Sequence, residues 1–448
     1  MLVEFKVRNF LAFENEEVFD LSAGKGRNFN ERISKDDKYK ILKFSALFGA
    51  NGSGKSNFVK AVSFSRNYIV KGNNRATVQK YFKLNPACKD LPTKFEYKIM
   101  LNGKPFSYGF EIVLSKNEII KEWLYFNNKN KELIFEHERS SNRFVLGKFF
   151  KDSNLRDRLK LYAESLDSGN NMLFLNAISK YNNLFLDFDE AVILKSVYSW
   201  FSNKLKIKYP DRFITDYAYF MSEKNLESVL GFFKDFDLSI SSYKFINCPK
   251  EHIAMKLPKE IFDDFMSALE KDLFENTDEE NTVMFGLEDD FYIAKILNEQ
   301  IVFETIQFYH ENTEVPFSIS EESDGTKKIL KLLEILFQDE DDIVYVVDEI
   351  DRCLHPLLTY NFIDAFLKKA VTKNCQLIVT THESLLLDFS LLRKDEVRLV
   401  SKVEGSSVIE SIGDTQIRSD KKLIKEYLFG KKGVPNISNN AYTNFQIL

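Results

Sequence analysis

The segment Gly49-Ala-Asn-Gly-Ser-Gly-Lys55-Ser56 constrains this chain more than any other stretch of its 448 residues. It fits GxxxxGK[ST]. It follows the short apolar run FSALF at residues 44–48 and leads into residues 56–68, whose apolar positions have helical spacing. A buried strand feeding a glycine-rich turn and then a helix is the setting in which this pattern cradles phosphate. The glycines let backbone N–H groups turn inward onto phosphate oxygens. The helix start adds partial positive charge. Gly49, Asn51, Gly52, Ser53, Gly54, Lys55, Ser56 and Asn57 are therefore the candidate nucleotide-binding residues. Lys55 is expected to reach the β- and γ-phosphates and Ser56 to hold Mg²⁺.

Three further patterns follow in order. Ile343-Val-Tyr-Val-Val347-Asp348-Glu349 is an apolar run ending in two acids, the form of a Walker B strand. The C-terminal end of such a strand is where an α/β sheet presents reactive groups. Asp348 is expected to hold Mg²⁺ through water, and Glu349 to polarise the attacking water. Alone, the run reads equally well as a core strand ending in surface acids; beside a P-loop the functional reading wins. Thr380-Thr381-His382-Glu383 closes the run QLIVT, and His382, 34 residues past Asp348, suits a histidine sensing the γ-phosphate. Ser320-Glu-Glu-Ser323-Asp-Gly325-Thr326-Lys327 precedes the helical KKILKLLEILF. Ser323 and Gly325 at a helix start suit an anion held by backbone N–H groups. Taken alone this is a plain helix cap, and its place between the P-loop and Walker B is what favours a ligand.

The nucleotide motifs thus lie at the two ends of the chain, and the fold expected is α/β. Residues 1–149 should form the first half of the nucleotide domain. Strands are expected at 2–8, 17–21 and 44–48, with a polar loop over 23–40. An antiparallel sheet is expected over 94–147, where Leu101-Asn102-Gly103-Lys104 marks a hairpin turn. Residues 150–300 mix Leu, Phe, Lys, Asp and Glu at helical spacing with few glycines or prolines, so a mostly helical insertion is expected. Residues 301–448 return to strand-like alternation at 301–312 and complete the nucleotide domain.

Composition narrows the class. The net charge of −5 gives no global pull toward nucleic acid, though scattered lysines leave room for a local nucleic-acid contact. Cys88, Cys248, Cys353 and Cys375 form no CxxC pair, so a zinc site or disulfide framework is not suggested, and a reduced cytoplasmic chain is expected. The start MLVEFKVRNF alternates charged and apolar residues, unlike a signal peptide. No apolar run approaches the ~20 residues of a membrane span.

Taken together, the four motifs resemble the ABC ATPase superfamily, the ABC/SMC-head-like P-loop ATPases, whose signature reads LSGGQ or LSGGE. Ser323 and Gly325 stand at the signature serine and second glycine, Asp324 replaces the first glycine, and Thr326 replaces the Gln or Glu. More narrowly, NFLAFENEEVFDLSAG, FGANGSGKSN, PTKFEYKIMLNGKPFSYGFEI, ESDGTKKILKLL, VVDEIDRCLHPLL, TTHESLLL and the tail KKLIKEYLFGKKGVPNI look like the bacterial AAA-labelled, ABC-type ATPases of the RloA/AbiL group. The ATPase subunit of the PARIS phage-defence system is similar. The resemblance implies ATP and Mg²⁺ as cofactors. It also implies a homodimer or higher homo-oligomer in which Ser323 of one copy meets the γ-phosphate on the other copy's P-loop. Asp351 falls at the D-loop position and residues 10–14 at the adenine-side loop; the Q-loop glutamine is not placed, Gln79 being a weak candidate.

The roughly 65 residues after His382 fall short of the ~100 of an ordinary domain, so a C-terminal nuclease domain is not expected. The leading expectation is an ATPase that senses or regulates a separately encoded toxin or nuclease in anti-phage defence. The alternative is an SMC/RecF-like DNA-associated ATPase, against whose SMC form stands the lack of long heptads. A transporter subunit would need a membrane partner, and the long insertion argues against it.

Overall fold

The computed structural model describes residues 1–414 apart from 25, 27, 36–38, 73–78, 129, 168–171, 211–217, 222–224, 276–281, 298–299 and 312. The tail segment likened to the RloA/AbiL group lies outside the described residues. Two compact units are present. One comprises Met1–Tyr209, Glu340–Ile350 and the chain from Leu367 onward; the other comprises Pro210–Asp339 and Asp351–Phe366.

The first unit is built on a six-stranded sheet, in the order Leu205–Lys208, Val344–Val347, Gln376–Thr381, Phe44–Phe48, Val397–Val403, Ser406–Ser411. The first five strands run parallel and the last is antiparallel. Every residue of Phe44–Phe48, Val344–Val347 and Gln376–Thr381 is buried. That is why these segments are rich in apolar residues without alternation: a parallel sheet is covered on both faces.

A seven-stranded antiparallel sheet accompanies it, in the order Arg143–Leu146, Lys131–Glu138, Glu118–Asn127, Lys104–Val113, Thr93–Leu101, Leu2–Arg8, Glu17–Asp20. The hairpin at Asn102-Gly103 pairs Leu101 with Lys104, as its sequence predicts. Alternation puts Phe95, Tyr97 and Ile99 on the inner face. Against that face lies the P-loop helix, Lys55–Lys71. Phe58 meets Phe5 with ring centroids 5.8 Å apart, Tyr68 stacks on Phe110 at 5.5 Å, and the Ser65 and Tyr97 hydroxyls are 2.6 Å apart. Phe58 and Val62 also share one core with Leu47, Val346 and Ile378 of the parallel sheet. Each fully buried aromatic or aliphatic side chain stabilises by about 1.5–3 kcal/mol, so the helix that carries Lys55 is held firmly.

The polar stretch 23–40, expected as a loop, holds a short strand Ile33–Lys35 paired with Lys40–Leu42. Within 150–300 helices prevail, from Ser153–Asp167 to Lys259–Glu275, as expected. Strands that the helical spacing does not suggest also lie there. Leu205–Lys208 pairs in parallel with Val344–Val347, and residues 150–209 fall in the first unit, whose first stretch runs to Tyr209. Four residues are too short a run to mark a strand by their alternation.

The second unit carries a five-stranded sheet in which Ile240–Cys248, Gln300–His310, Asp290–Leu297 and Thr282–Leu287 lie in that order and Pro316–Phe317 pairs with Gln300–His310. Lys259–Glu275 covers part of it, with Met266, Leu269 and Leu273 in a core beside Phe285, Tyr292 and Phe303. The amphipathic helix Asp324–Phe337 belongs to the same unit. No described helix is long and apolar enough to cross a membrane.

Candidate functional site

In the first unit the parallel strands end at one edge, and three motifs follow from three neighbouring strands. Phe48 is paired with Thr381 and Val347 with Val379. That register sets the loop from Gly49, the acids from Asp348 and the turn at His382 side by side. Asn51, Gly52, Ser53, Gly54, Lys55, Ser56, Asn57, Glu349 and His382 line one cavity of about 440 Å³.

The helix Lys55–Lys71 starts at Gly54 with φ 115°, and no side chain caps its N-terminus. An L-residue is strained in that conformation, and a Cβ on Gly54 would sit 2.2 Å from the Ser407 hydroxyl. The uncapped helix start leaves its first N–H groups for a ligand. Lys55 is only 5% exposed. Its ammonium donates to the carbonyls of Gly49 (2.7 Å) and Ala50 (3.1 Å) and lies 3.5 Å from His382 Nδ1. The Ser53 hydroxyl is buried and has no hydrogen-bond partner. A buried hydroxyl without a partner is costly, and a phosphate oxygen in this cavity would satisfy it.

Asp348 is buried, and its Oδ1 accepts from the Thr380 hydroxyl at 2.6 Å. Its N–H donates to the carbonyl of Lys208 at 2.9 Å, which ties the neighbouring edge strand to Walker B. Glu349 is half-buried with φ 47°, in the left-handed region, and its N–H donates to Thr380 Oγ1 at 2.8 Å. His382 is exposed at the cavity, and the turn beyond it is closed by Glu383 N–H donating to the Thr381 hydroxyl at 2.9 Å. Lys208 lies outside every motif pattern. Thr380 lies inside a recognised motif, but only strand register shows which neighbour its side chain meets.

A second cavity of about 350 Å³ is lined by Leu11, Ala12, Asn57, Gln79, Tyr81, Phe82, Lys83, Leu84, Lys402 and Gly405. Asn57 lines both cavities. The rings of Phe10 and Phe13 are fully buried, Phe10 against Phe64 and Phe95 at 5.1 and 5.2 Å, so from residues 10–14 only Leu11 and Ala12 line this cavity. Gln79 lines this second cavity, apart from Glu349.

In the second unit Ser323 is exposed and caps the helix Asp324–Phe337. Its Oγ accepts from Thr326 N–H at 3.1 Å and lies 2.9 Å from Thr326 Oγ1. A Cβ on Gly325 would come within 3.0 Å of the Cys353 carbonyl, so the helix start and the segment after Asp351 pack closely. On the same helix Lys328 is 8% exposed, and burial pulls its ammonium down to about 8, with Lys331 and Arg352 adding to the fall and Cys353 and Asp351 opposing it.

Among the solved structures that resemble the chain are three SMC heads. The SMC head domain from Thermotoga maritima matches at 14% identity and TM-score 0.38, over 92% of this chain and 98% of that one. An SMC head bound to the C-winged helix domain of ScpA matches at 14% and 0.41, over 92% and 97%. The Smc head domain with an extended coiled coil bound to the C-terminal domain of ScpA, from Pyrococcus furiosus, matches at 14% and 0.38, over 96% and 99%. These are distant likenesses that transfer no residue role. No curated protein matches the chain. A family model described as "AAA domain, putative AbiEii toxin, Type IV TA system" matches residues 44–388, from the strand before the P-loop to the turn after His382. The chain belongs to that family of nucleotide-binding AAA-type ATPase domains.

Proposed function

We propose that the chain binds and hydrolyses ATP at sites completed by a second copy, and that this cycle holds or releases a separately encoded effector in anti-phage defence. The observation that carries the ATPase reading is the convergence of Lys55, Ser53, Glu349 and His382 on one cavity beside an uncapped helix start.

Backbone N–H groups at that helix start and the Lys55 ammonium take the β- and γ-phosphates. Lys55 must leave the carbonyls of Gly49 and Ala50 to do so. Ser56 and Asp348 would hold Mg²⁺, Asp348 through water, and the ion would neutralise charge on the phosphates. One carboxylate suffices because such sites draw their other ligands from water and phosphate. Glu349 orients the attacking water and accepts its proton. His382 donates toward the γ-phosphate. The second cavity, sharing Asn57, accommodates the base end of the nucleotide. Ser323 of the second copy, with its helix start, faces the γ-phosphate and completes the site.

The effector part rests on the RloA/AbiL-like motifs and on a family description that names a toxin–antitoxin system. Calorimetry with Mg·ATP and a phosphate-release assay test the ATPase part: micromolar binding and slow turnover are expected, and a folded chain that binds no nucleotide overturns it. Co-purification with the product of an adjacent gene, with and without ATP, tests the effector part. ATP-dependent binding to DNA without such a partner would favour the DNA-associated alternative.

A further inference from the structure

We infer that Thr380 is a positioning residue for hydrolysis, holding both Walker B acids in their working orientations through one hydroxyl; this rests on the ATPase reading above. Thr380 is the penultimate residue of the strand Gln376–Thr381 and is 1% exposed. The pairing of Val347 with Val379 puts it beside the residue that follows the Walker B strand. A hydroxyl has one proton to donate and two lone pairs. Here the proton goes to Asp348 Oδ1 at 2.6 Å, and a lone pair accepts the Glu349 N–H at 2.8 Å. The Thr380 carbonyl accepts the Ile350 N–H at 3.1 Å. One residue thus engages three consecutive residues at the end of the neighbouring strand.

The chemistry of both acids depends on these bonds. Asp348 has one oxygen committed to Thr380, which fixes the orientation of the carboxylate. Partners that orient a metal-binding carboxylate are worth about 10–100-fold in metal affinity or activity. Glu349 sits at φ 47°, a conformation a non-glycine residue keeps only where its surroundings enforce it. The bond to Thr380 is such an enforcement, and it sets where the Glu349 side chain enters the cavity. Two residues later the same strand delivers His382, so the hydroxyl ties the acids to the element bearing the γ-phosphate sensor. Thr381 does a separate job, closing the turn at Glu383.

The test compares Thr380→Val, which keeps shape and loses the hydroxyl, with Thr380→Ser, which keeps the hydroxyl, and Thr380→Ala as a smaller variant should valine not fold. We expect Thr380→Val to lower kcat by about tenfold or more, to raise the Mg²⁺ concentration needed for half-maximal rate by a similar factor, and to leave ATP binding in EDTA unchanged. Thr380→Ser should recover most of both. A merely structural role would lower Tm while leaving kcat and the Mg²⁺ midpoint at wild-type values, and that result overturns the inference. If wild type hydrolyses ATP and Glu349→Gln does not, a normal Thr380→Val sinks this inference alone. If wild type neither binds nor hydrolyses ATP, the ATPase reading fails and Thr380's role with it.

Discussion

The chain has two helix starts at its functional motifs, and they are built in opposite ways. Lys55–Lys71 begins at a glycine, has no side-chain cap, and keeps beside it the buried Ser53 hydroxyl, which has no partner, and the buried Lys55 ammonium. Asp324–Phe337 begins at Ser323, whose oxygen already satisfies the Thr326 N–H. At the first start the Ser53 hydroxyl has no partner, while the Lys55 ammonium rests on the carbonyls of Gly49 and Ala50. The second is self-sufficient and exposed, so its stability does not wait on a ligand. The proposed shared site would use this asymmetry: one half would bind nucleotide by itself, and the other would remain folded while it meets nothing.

The sharpest way to break the comparison is at the acids beside the uncapped helix. Glu349→Gln should retain Mg·ATP binding and lose about 10²–10⁴-fold in turnover, measured by phosphate release, because the amide cannot accept the proton from water. Wild-type turnover would move the base elsewhere, to Asp348 or Asp351. Lys55→Ala comes next. Losing charge-assisted bonds worth about 3 kcal/mol in total should weaken ATP by about 10²-fold in calorimetry, with the fold intact by circular dichroism.

The capped helix should respond differently. Ser323→Arg is expected to cut turnover by about tenfold or more through bulk at the signature position, while ATP binding to the same chain's P-loop stays near wild type. Mixing Ser323→Arg with Lys55→Ala chains places both lesions at one interface and none at the other, so partial recovery is expected. No recovery despite proven subunit exchange would argue against sharing. Ser323→Ala is milder. Removing the cap should cost about 1 kcal/mol in a urea melt, whereas no side-chain cap exists at Gly54 to lose.

The smallest effect is a pH dependence. Burial lowers Lys328 from 10.5 to about 8. Between those values the unfolded chain binds the proton and the folded one does not, so the stability this group allows rises with pH across the window. Below about 8 both states carry the charge, and the cost of burying it is fully felt. Lys328→Met should therefore raise Tm most at neutral pH, with the gain fading toward pH 10.5. A gain that does not change with pH would mean packing, not charge, is responsible.

Much of the site is legible in the amino-acid sequence, because its motifs are local. FSALF followed by the glycines, the acids after IVYVV and the histidine after QLIVT each carry a short-range pattern whose physical basis is burial or turn geometry. Ser323 is recognisable as a helix cap, and it is one. The Asn102-Gly103 hairpin and the strands from Lys104–Val113 to Lys131–Glu138 follow from alternation. Less legible are Ile240–Cys248 and Thr282–Leu287, where exposed and half-buried positions blur the period.

Burial periodicity and glycine placement act within a dozen residues, so the sequence alone specifies which segments become strand, turn and helix around the nucleotide motifs. Tertiary packing, and nothing local, places LKIK at 205–208 beside Walker B, lends the Lys208 carbonyl to Asp348, and lets one hydroxyl of Thr380 serve two acids. These are matters of register between segments separated by 31 to 140 residues. Register is set by the packing of whole sheets, and no local pattern carries it.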